Sequence, residues 1–172
     1  MAKKEAPVIE TQRLVLRRRT DKDVPRMVTA FNHEEVRAYL GGYPPREAHA
    51  IQKIIRARTA TEWAVTIKGK DEYIGECTIN KIVDGYLGEI GYLFLRRYWN
   101  KGYATESVTA MMAYARDTLG LGRLSAAIDA KNERSIHLVE KLGFRRVALL
   151  PEADFGGRLA DVAYYSLKLE KP

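Results

Sequence analysis

The chain has one cysteine, Cys77, among 172 residues, so no disulfide framework can form within it and the lone thiol fits a reducing compartment. Its three histidines, His33, His49 and His137, lack metal-ligand spacing, and no metal is expected. No stretch approaches the roughly 18 uninterrupted apolar residues of a membrane-spanning helix. The opening Met1-Ala2-Lys3-Lys4-Glu5-Ala6-Pro7 carries positive charge with no apolar run behind it, so no signal peptide is expected and a cytoplasmic location follows. Repeats, low-complexity tracts and linkers are missing too. The expectation is one domain over 1–172, frayed to about Pro7. Gly120-Leu121-Gly122 lacks the third glycine of a dinucleotide fingerprint, and no Walker A sequence occurs.

Hydrophobic residues make up 46% and charged residues 30%, the balance of a globular protein rather than a disordered chain. Lysine and arginine number 29 against 22 aspartates and glutamates, a net charge of +7. Such an excess favours an anionic partner: nucleic acid, anionic lipid or a phosphorylated small molecule. A net charge of about 2–8 is also ordinary for a small soluble domain. Helix-turn-helix spacing is not evident and aromatic residues are not interleaved with the basic ones, so no specific nucleic-acid partner is expected.

The local pattern yields a mixed order of elements. From Arg13 to Arg19, Leu14 and Leu16 alternate inward, and the Arg17-Arg18-Arg19 cluster reads as a solvated basic side. Thr20 and Asp23 form an N-cap pair opening a helix through about Phe31, with Pro25 tolerated in its first turn. Ala48, Ile51, Ile54 and Ile55 recur at helical spacing after the Gly41-Gly42-Tyr43-Pro44-Pro45 loop. Three strands follow, over about 63–67, 73–83 and 86–95, the last two joined by the hairpin dipeptide Asp84-Gly85. The period then changes. Ala104, Val108, Met111, Met112, Ala115 and Leu119 share one helical face, and Gly120 stops it. A strand through Ala130, a helix capped by Asn132 and ended at Gly143, and strands over about 144–150 and 161–169 complete the chain. The fold class is mixed α/β (α+β), one central twisted, mostly antiparallel sheet flanked by helices.

The junction from Leu95 to Glu106 carries the chemistry. There a strand gives way to a long helix through Arg96-Arg97-Tyr98-Trp99-Asn100-Lys101-Gly102-Tyr103. A helix N-terminus leaves its first N–H groups unpaired and favours negative charge, and Gly102 lets an anion approach the backbone. Arg96, Arg97 and Lys101 add cationic side chains. An ordinary strand-to-helix connection with solvated charges fits the same residues.

At this point the chain resembles the GNAT superfamily of acetyl-CoA-dependent N-acetyltransferases, in particular its RimJ- and RimL-like branch of ribosomal-protein alanine N-acetyltransferases. The likeness rests on Thr11-Gln12-Arg13-Leu14-Val15-Leu16-Arg17, Glu89-Ile90-Gly91-Tyr92, and Tyr98-Trp99-Asn100-Lys101-Gly102-Tyr103-Ala104-Thr105-Glu106. It extends to Asn132-Glu133-Arg134-Ser135 and Glu140-Lys141-Leu142-Gly143-Phe144, in this order and at these spacings. It implies acetyl-CoA as co-substrate and an amine as acceptor, foremost the α-amino group of a ribosomal protein. A small amine (aminoglycoside, polyamine or amino acid) keeps the same chemistry. A non-catalytic acyl-CoA- or nucleic-acid-binding module is the reading from another class, and a homodimer stays open.

The resemblance also implies a site. Trp99, Gly102 and Ala104 occupy the slots of the superfamily's pyrophosphate loop, with Asn100 where glycine is commoner. Backbone amides from Asn100 through Lys101, Gly102, Tyr103, Ala104 and Thr105 would bind the pyrophosphate, beside Arg97. The strand Tyr92-Leu93-Phe94-Leu95 would pair with the pantetheine arm. An N–H among Leu93, Phe94 and Leu95 would polarise the thioester carbonyl, and Asn132 would bond the pantetheine. Glu89 is the first candidate for general base, ahead of Glu76 and Asp129, although a solvent-facing strand residue fits it as well. Val139 stands where many members carry an acidic tyrosine, and Ser135, three residues after Asn132, fits the serine used instead by RimL-like members. Ser135 also fits a plain first-turn helix residue. The loops 41–45 and 154–158 would shape the acceptor pocket.

Overall fold

A computed structural model describes residues 6–57 and 59–170. Met1–Glu5, part of the stretch expected to fray, lie outside the described residues. Ala6 and Pro7 depart from that expectation, for Ala6 is buried and the Pro7 carbonyl accepts a 2.8 Å bond from Trp63 Nε1. Among the described residues, eight strands form one sheet in the order β1-β2-β3-β4-β5-β6-β8-β7. The strands are β1 (Ile9–Glu10), β2 (Leu14–Arg17), β3 (Glu62–Ile67), β4 (Glu72–Val83), β5 (Leu87–Phe94), β6 (Arg123–Asp129), β7 (Arg145–Asp154) and β8 (Leu159–Lys168). The helices are α1 (Val24–Asn32), α2 (Glu34–Arg37), α3 (Ala48–Ala57), α4 (Tyr103–Asp117) and α5 (Glu133–Lys141). No helix among the described residues is long and apolar enough to cross a membrane.

The chain divides into two compact units. The first comprises residues 6–36, 45–78 and 92–110. In it β1, β2, β3 and the start of β4 pair antiparallel in succession. Leu14 and Leu16 of β2 are fully buried, as the alternation requires. The Thr20 N–H donates to Asp23 Oδ2 at 2.8 Å, completing the expected cap. A 3-10 turn, Asp21–Asp23, then precedes α1, whose Pro25 sits in the first turn. Ile51 and Ile55, one turn apart on α3, are both buried.

The arginines at the end of β2 and just after it correct the expectation of a solvated face. Arg19 is only 5% exposed, paired with Glu62 and 3.8 Å from Glu76, which itself accepts a 3.3 Å bond from the Tyr73 hydroxyl. Arg17 bridges Asp23 at 2.8 Å and Asp71 at 2.5 Å. The hydrogen bond to Asp23 is the largest cause raising the Arg17 pKa, against the lowering effect of burial. Burial is what raises Glu76, with Arg19 and Tyr73 opposing it. A side chain this long buries charge only where carboxylates wait for it, and here strands β3 and β4 supply them.

The second unit comprises residues 37–44, 79–91 and 111–170. The predicted hairpin turn is present. Asp84 and Gly85 both adopt positive φ, 52° and 63°, and Tyr86 N–H closes on the Val83 carbonyl at 2.9 Å. Positive φ at both central residues is what makes Asp-Gly suited to this turn. β5 and β6 run parallel, with Glu89 opposite Ser125. The last strand, β8, lies between β6 and β7 and is antiparallel to both.

Candidate active site

In the first unit, β5 runs out through Leu93, Phe94 and Leu95, all buried, into a 3-10 turn at Arg96–Tyr98. The Leu95 N–H donates to the Ile74 carbonyl at 2.9 Å. Of the three amides expected to face a thioester, that one is therefore already engaged. Trp99 is fixed by its indole N–H, which donates to the Phe94 carbonyl at 2.8 Å. Asn100 then takes φ 59° and Gly102 φ 77°. The left-handed conformation at Asn100 is one asparagine tolerates better than most residues. Glycine at 102 leaves the turn open, the nearest atom to an added Cβ being Arg13 Nη2 at 3.2 Å.

The first intrahelical bond of α4 is from Glu106 N–H to the Gly102 carbonyl at 3.0 Å. The amides of Tyr103, Ala104 and Thr105 thus have no acceptor within the helix, as at any helix start. This is a turn of N–H groups at a positive helix end, with the geometry to take an anion.

Two residues that sequence reasoning left without a role brace this turn. Arg13 Nη1 donates to the Lys101 carbonyl at 3.0 Å, Arg13 Nε bonds Glu106 at 2.7 Å, and the guanidinium lies 4.7 Å from the Tyr103 ring centre. Glu106 also accepts from the Thr11 hydroxyl at 2.6 Å and the Arg13 N–H at 2.8 Å. Burial would raise the Glu106 carboxyl, but those three donors hold it below its ordinary range. Both residues stand in the motifs quoted above, yet nothing local marks them as partners. The expected cationic cluster is only partly available, since Arg96 pairs with Glu35 and Arg97 with Glu72, each at 2.8 Å. Lys101 is exposed, its ammonium 5.5 Å from the Tyr98 ring centre.

In the second unit, Glu89 is not a lone strand carboxylate. Lys81 Nζ reaches its two oxygens at 2.8 and 3.1 Å, and this hydrogen bond is the main cause raising the Lys81 pKa. Asn132 caps α5, its side-chain oxygen accepting from the Ser135 N–H at 3.2 Å. Asp129 is buried against Arg158 and accepts the Lys131 N–H at 2.9 Å. Asp129 and, in the first unit, Glu76 thus serve charge networks. The two loops expected to shape an acceptor pocket are joined, with Gly42 N–H on the Phe155 carbonyl at 3.1 Å and Arg158 on the Ala38 carbonyl at 3.1 Å.

A sheet strand ending in an amide-lined turn at the start of a long helix is a site suited to an anionic group. The family model described as an acetyltransferase (GNAT) domain matches residues 13–145, and the chain belongs to that family. It is an acetyltransferase. Among curated relatives, the uncharacterized N-acetyltransferase p20 of Bacillus licheniformis is 31% identical over 91% of this chain and 93% of its own length. YoaA of Bacillus subtilis, an uncharacterized N-acetyltransferase, is 28% identical over 94% and 96%.

Solved structures share the fold. A GNAT-family acetyltransferase from Bacillus anthracis superposes with a TM-score of 0.86 at 24% identity, covering 94% of this chain and 98% of that one. The ribosomal L7/L12 α-N-protein acetyltransferase RimL gives 0.79 at 20% identity over 95% and 94%. A spermidine N-acetyltransferase from Vibrio cholerae, in complex with CoA and spermine, gives 0.80 at 18% over 92% and 96%.

Proposed function

We propose that the protein moves acetyl from acetyl-CoA to the α-amino group of a protein N-terminus, of the ribosomal-protein type. The observation that carries the donor half is the turn 100–105, where positive φ at Asn100 and Gly102 precedes three amides with no intrahelical acceptor. These amides bind the pyrophosphate, with Lys101 adding charge to its approach and Arg97 beside it, shared with Glu72. The strand residues Leu93 and Phe94 offer backbone to the pantetheine, and Asn132 hydrogen-bonds it. The free amine attacks the thioester carbon and the carbon–sulfur bond breaks. Glu89 takes the proton the amine loses, and the Ser135 hydroxyl donates one to the departing thiolate, after which Ser135 regains a proton from solvent and Glu89 releases one to it. The RimL structure among the fold neighbours supports the protein acceptor. The spermidine N-acetyltransferase supports a polyamine as the second reading.

The donor is tested by thermal shift with CoA, acetyl-CoA and a duplex nucleic acid as control. CoA at a hundred times its dissociation constant stabilises by about 2.7 kcal/mol, which in a domain of this size raises Tm by roughly 5–10 °C. Stabilisation by nucleic acid and not by CoA refutes the reading. Labelled acetyl-CoA offered with ribosomes, free peptides and a polyamine panel then decides the acceptor. Ser135→Ala is expected to slow turnover about tenfold, less than the usual contribution of a proton-transfer group because a thiolate is already a fair leaving group, without raising KM for acetyl-CoA. Full activity makes Ser135 a helix-capping partner of Asn132 and nothing more.

A further inference from the structure

We infer that Lys81 is itself an acetyl acceptor, modified at Nζ by the chain that carries it; this rests on the proposed reaction, with Glu89 as its base. Lys81 Nζ lies 2.8 and 3.1 Å from the two Glu89 oxygens. A primary amine is therefore already hydrogen-bonded to that carboxylate, within the reach that proton transfer requires. The Lys81 side chain is 71% exposed and that of Glu89 only 24%. The amine is the accessible half of the pair.

The backbone is distorted to bring the two together. Tyr86 N–H closes the hairpin on the Val83 carbonyl, and a regular ladder counted back from there sets Lys81 opposite Gly88. A Cβ added at Gly88 would lie 2.7 Å from Ile79 Cγ2 and 2.9 Å from Leu121 Cδ1, so Gly88 faces the buried side that Ile79 also faces. Alternation would send Lys81 to that side and Glu89 to the other. Instead Lys81 takes φ 46° inside β4, the alternation breaks, and its side chain meets Glu89. A left-handed lysine costs more than an exposed ion pair returns. Kinks of this kind re-aim a side chain, and they gather beside active sites.

Tyr43, in the loop before α3, and Tyr164 of β8 stand within electrostatic range of the same ammonium. In its neutral form the Lys81 nitrogen attacks the thioester carbon of acetyl-CoA. A carbon–nitrogen bond forms and the carbon–sulfur bond breaks. Glu89 takes the proton the nitrogen loses and passes it to solvent, and the departing thiolate gains one to leave as CoA thiol. The product is an acetamide on Lys81. It carries no charge, so the ion pair with Glu89 ends with the transfer, and each chain reacts once.

The test incubates the full chain with acetyl-CoA and no other amine, and follows each lysine by peptide mass spectrometry. Lys81 is expected to be acetylated at least about tenfold faster than Lys53 and Lys70, both exposed, because its amine is already placed against the base. The rate constant is expected to be independent of protein concentration, as a step within one chain requires. Spontaneous acetylation disfavours Lys81, since the hydrogen bond from Glu89 raises its pKa and leaves less free amine at a given pH. A lead for Lys81 is therefore a sign of catalysis.

Lys81→Arg keeps a cation beside Glu89 and removes the acceptor, so acetyl on the intact chain is expected to fall to the level the exposed lysines set. An unchanged melting temperature in that variant separates a lost acceptor from lost folding. Lys81 reacting no faster than Lys53 and Lys70, or at a rate constant that rises with protein concentration, overturns the inference. Transfer to an added amine while Lys81 stays unmodified also overturns it and leaves the proposed reaction standing. Transfer to neither, with no stabilisation by CoA, removes both.

Discussion

Glu89→Gln is expected to lower kcat about a hundredfold, the low end of what a positioned general base supplies, while acetyl-CoA binds as before. The amide keeps the shape of the carboxylate on β5 and its neighbour Ser125 across the parallel pairing with β6, so the strand is undisturbed. What it loses is the capacity to accept the proton of the attacking amine, the role proposed for Glu89. The ion pair with Lys81 provides the control. Lys81→Met breaks the same pair and spares the carboxylate, and an exposed pair is worth so little that the rate holds within about threefold. Rapid-quench turnover, with CoA affinity measured separately, reads both. If Glu89→Gln and Lys81→Met behave alike at every pH near neutrality, the pair is a surface ion pair and the base lies elsewhere.

Arg19→Met costs about 3–5 kcal/mol of folding stability, the range for stripping one partner from a buried ion pair. Methionine fills much of the volume of the arginine stem, so the loss is chiefly electrostatic. Glu62 and Glu76 would be left facing each other, with Tyr73 the remaining donor to Glu76. The pH dependence identifies the cause. Burial already raises Glu76 in the native state, and Arg19 is the leading influence opposing it. A carboxyl raised in the folded form favours folding at low pH and loses that advantage as pH rises through its folded value. The Arg19→Met deficit is therefore largest at neutral and alkaline pH. It shrinks in mild acid, where Glu76 takes up a proton and no charge is buried. Urea unfolding at pH 5 and pH 8 measures the difference, and a deficit independent of pH reduces Arg19 to packing alone.

Local chemistry was legible in the sequence wherever one segment settles its own structure. Asp84-Gly85 announces its turn, Thr20 and Asp23 their cap, and Val108, Met111 and Ala115 the buried face of α4. The turn 100–105 was legible for the same reason, being one strand end, one glycine and one helix start in a row. Long-range pairing was not. Alternation along β2 places Arg19 outside, because nothing near it reveals that Glu62 and Glu76 arrive from 43 and 57 positions away. The placing of β8 between β6 and β7 is equally silent in local periodicity, as is the two-residue strand β1. Glu89 was found as a candidate, but its Lys81 partner, across the hairpin, was not.

The clasp of Arg13 on Glu106 and the Lys101 carbonyl couples the start of the chain to a turn some ninety residues downstream. Order in one is then order in the other. A ligand seated on that turn tightens β2 without touching it, and any change that loosens β2 weakens the ligand by the same free energy. In a scan of variants, Arg13 would behave as a determinant of affinity through the turn it braces. The turn 100–105 and the entry to β2 are, thermodynamically, one cooperative element written in two distant places.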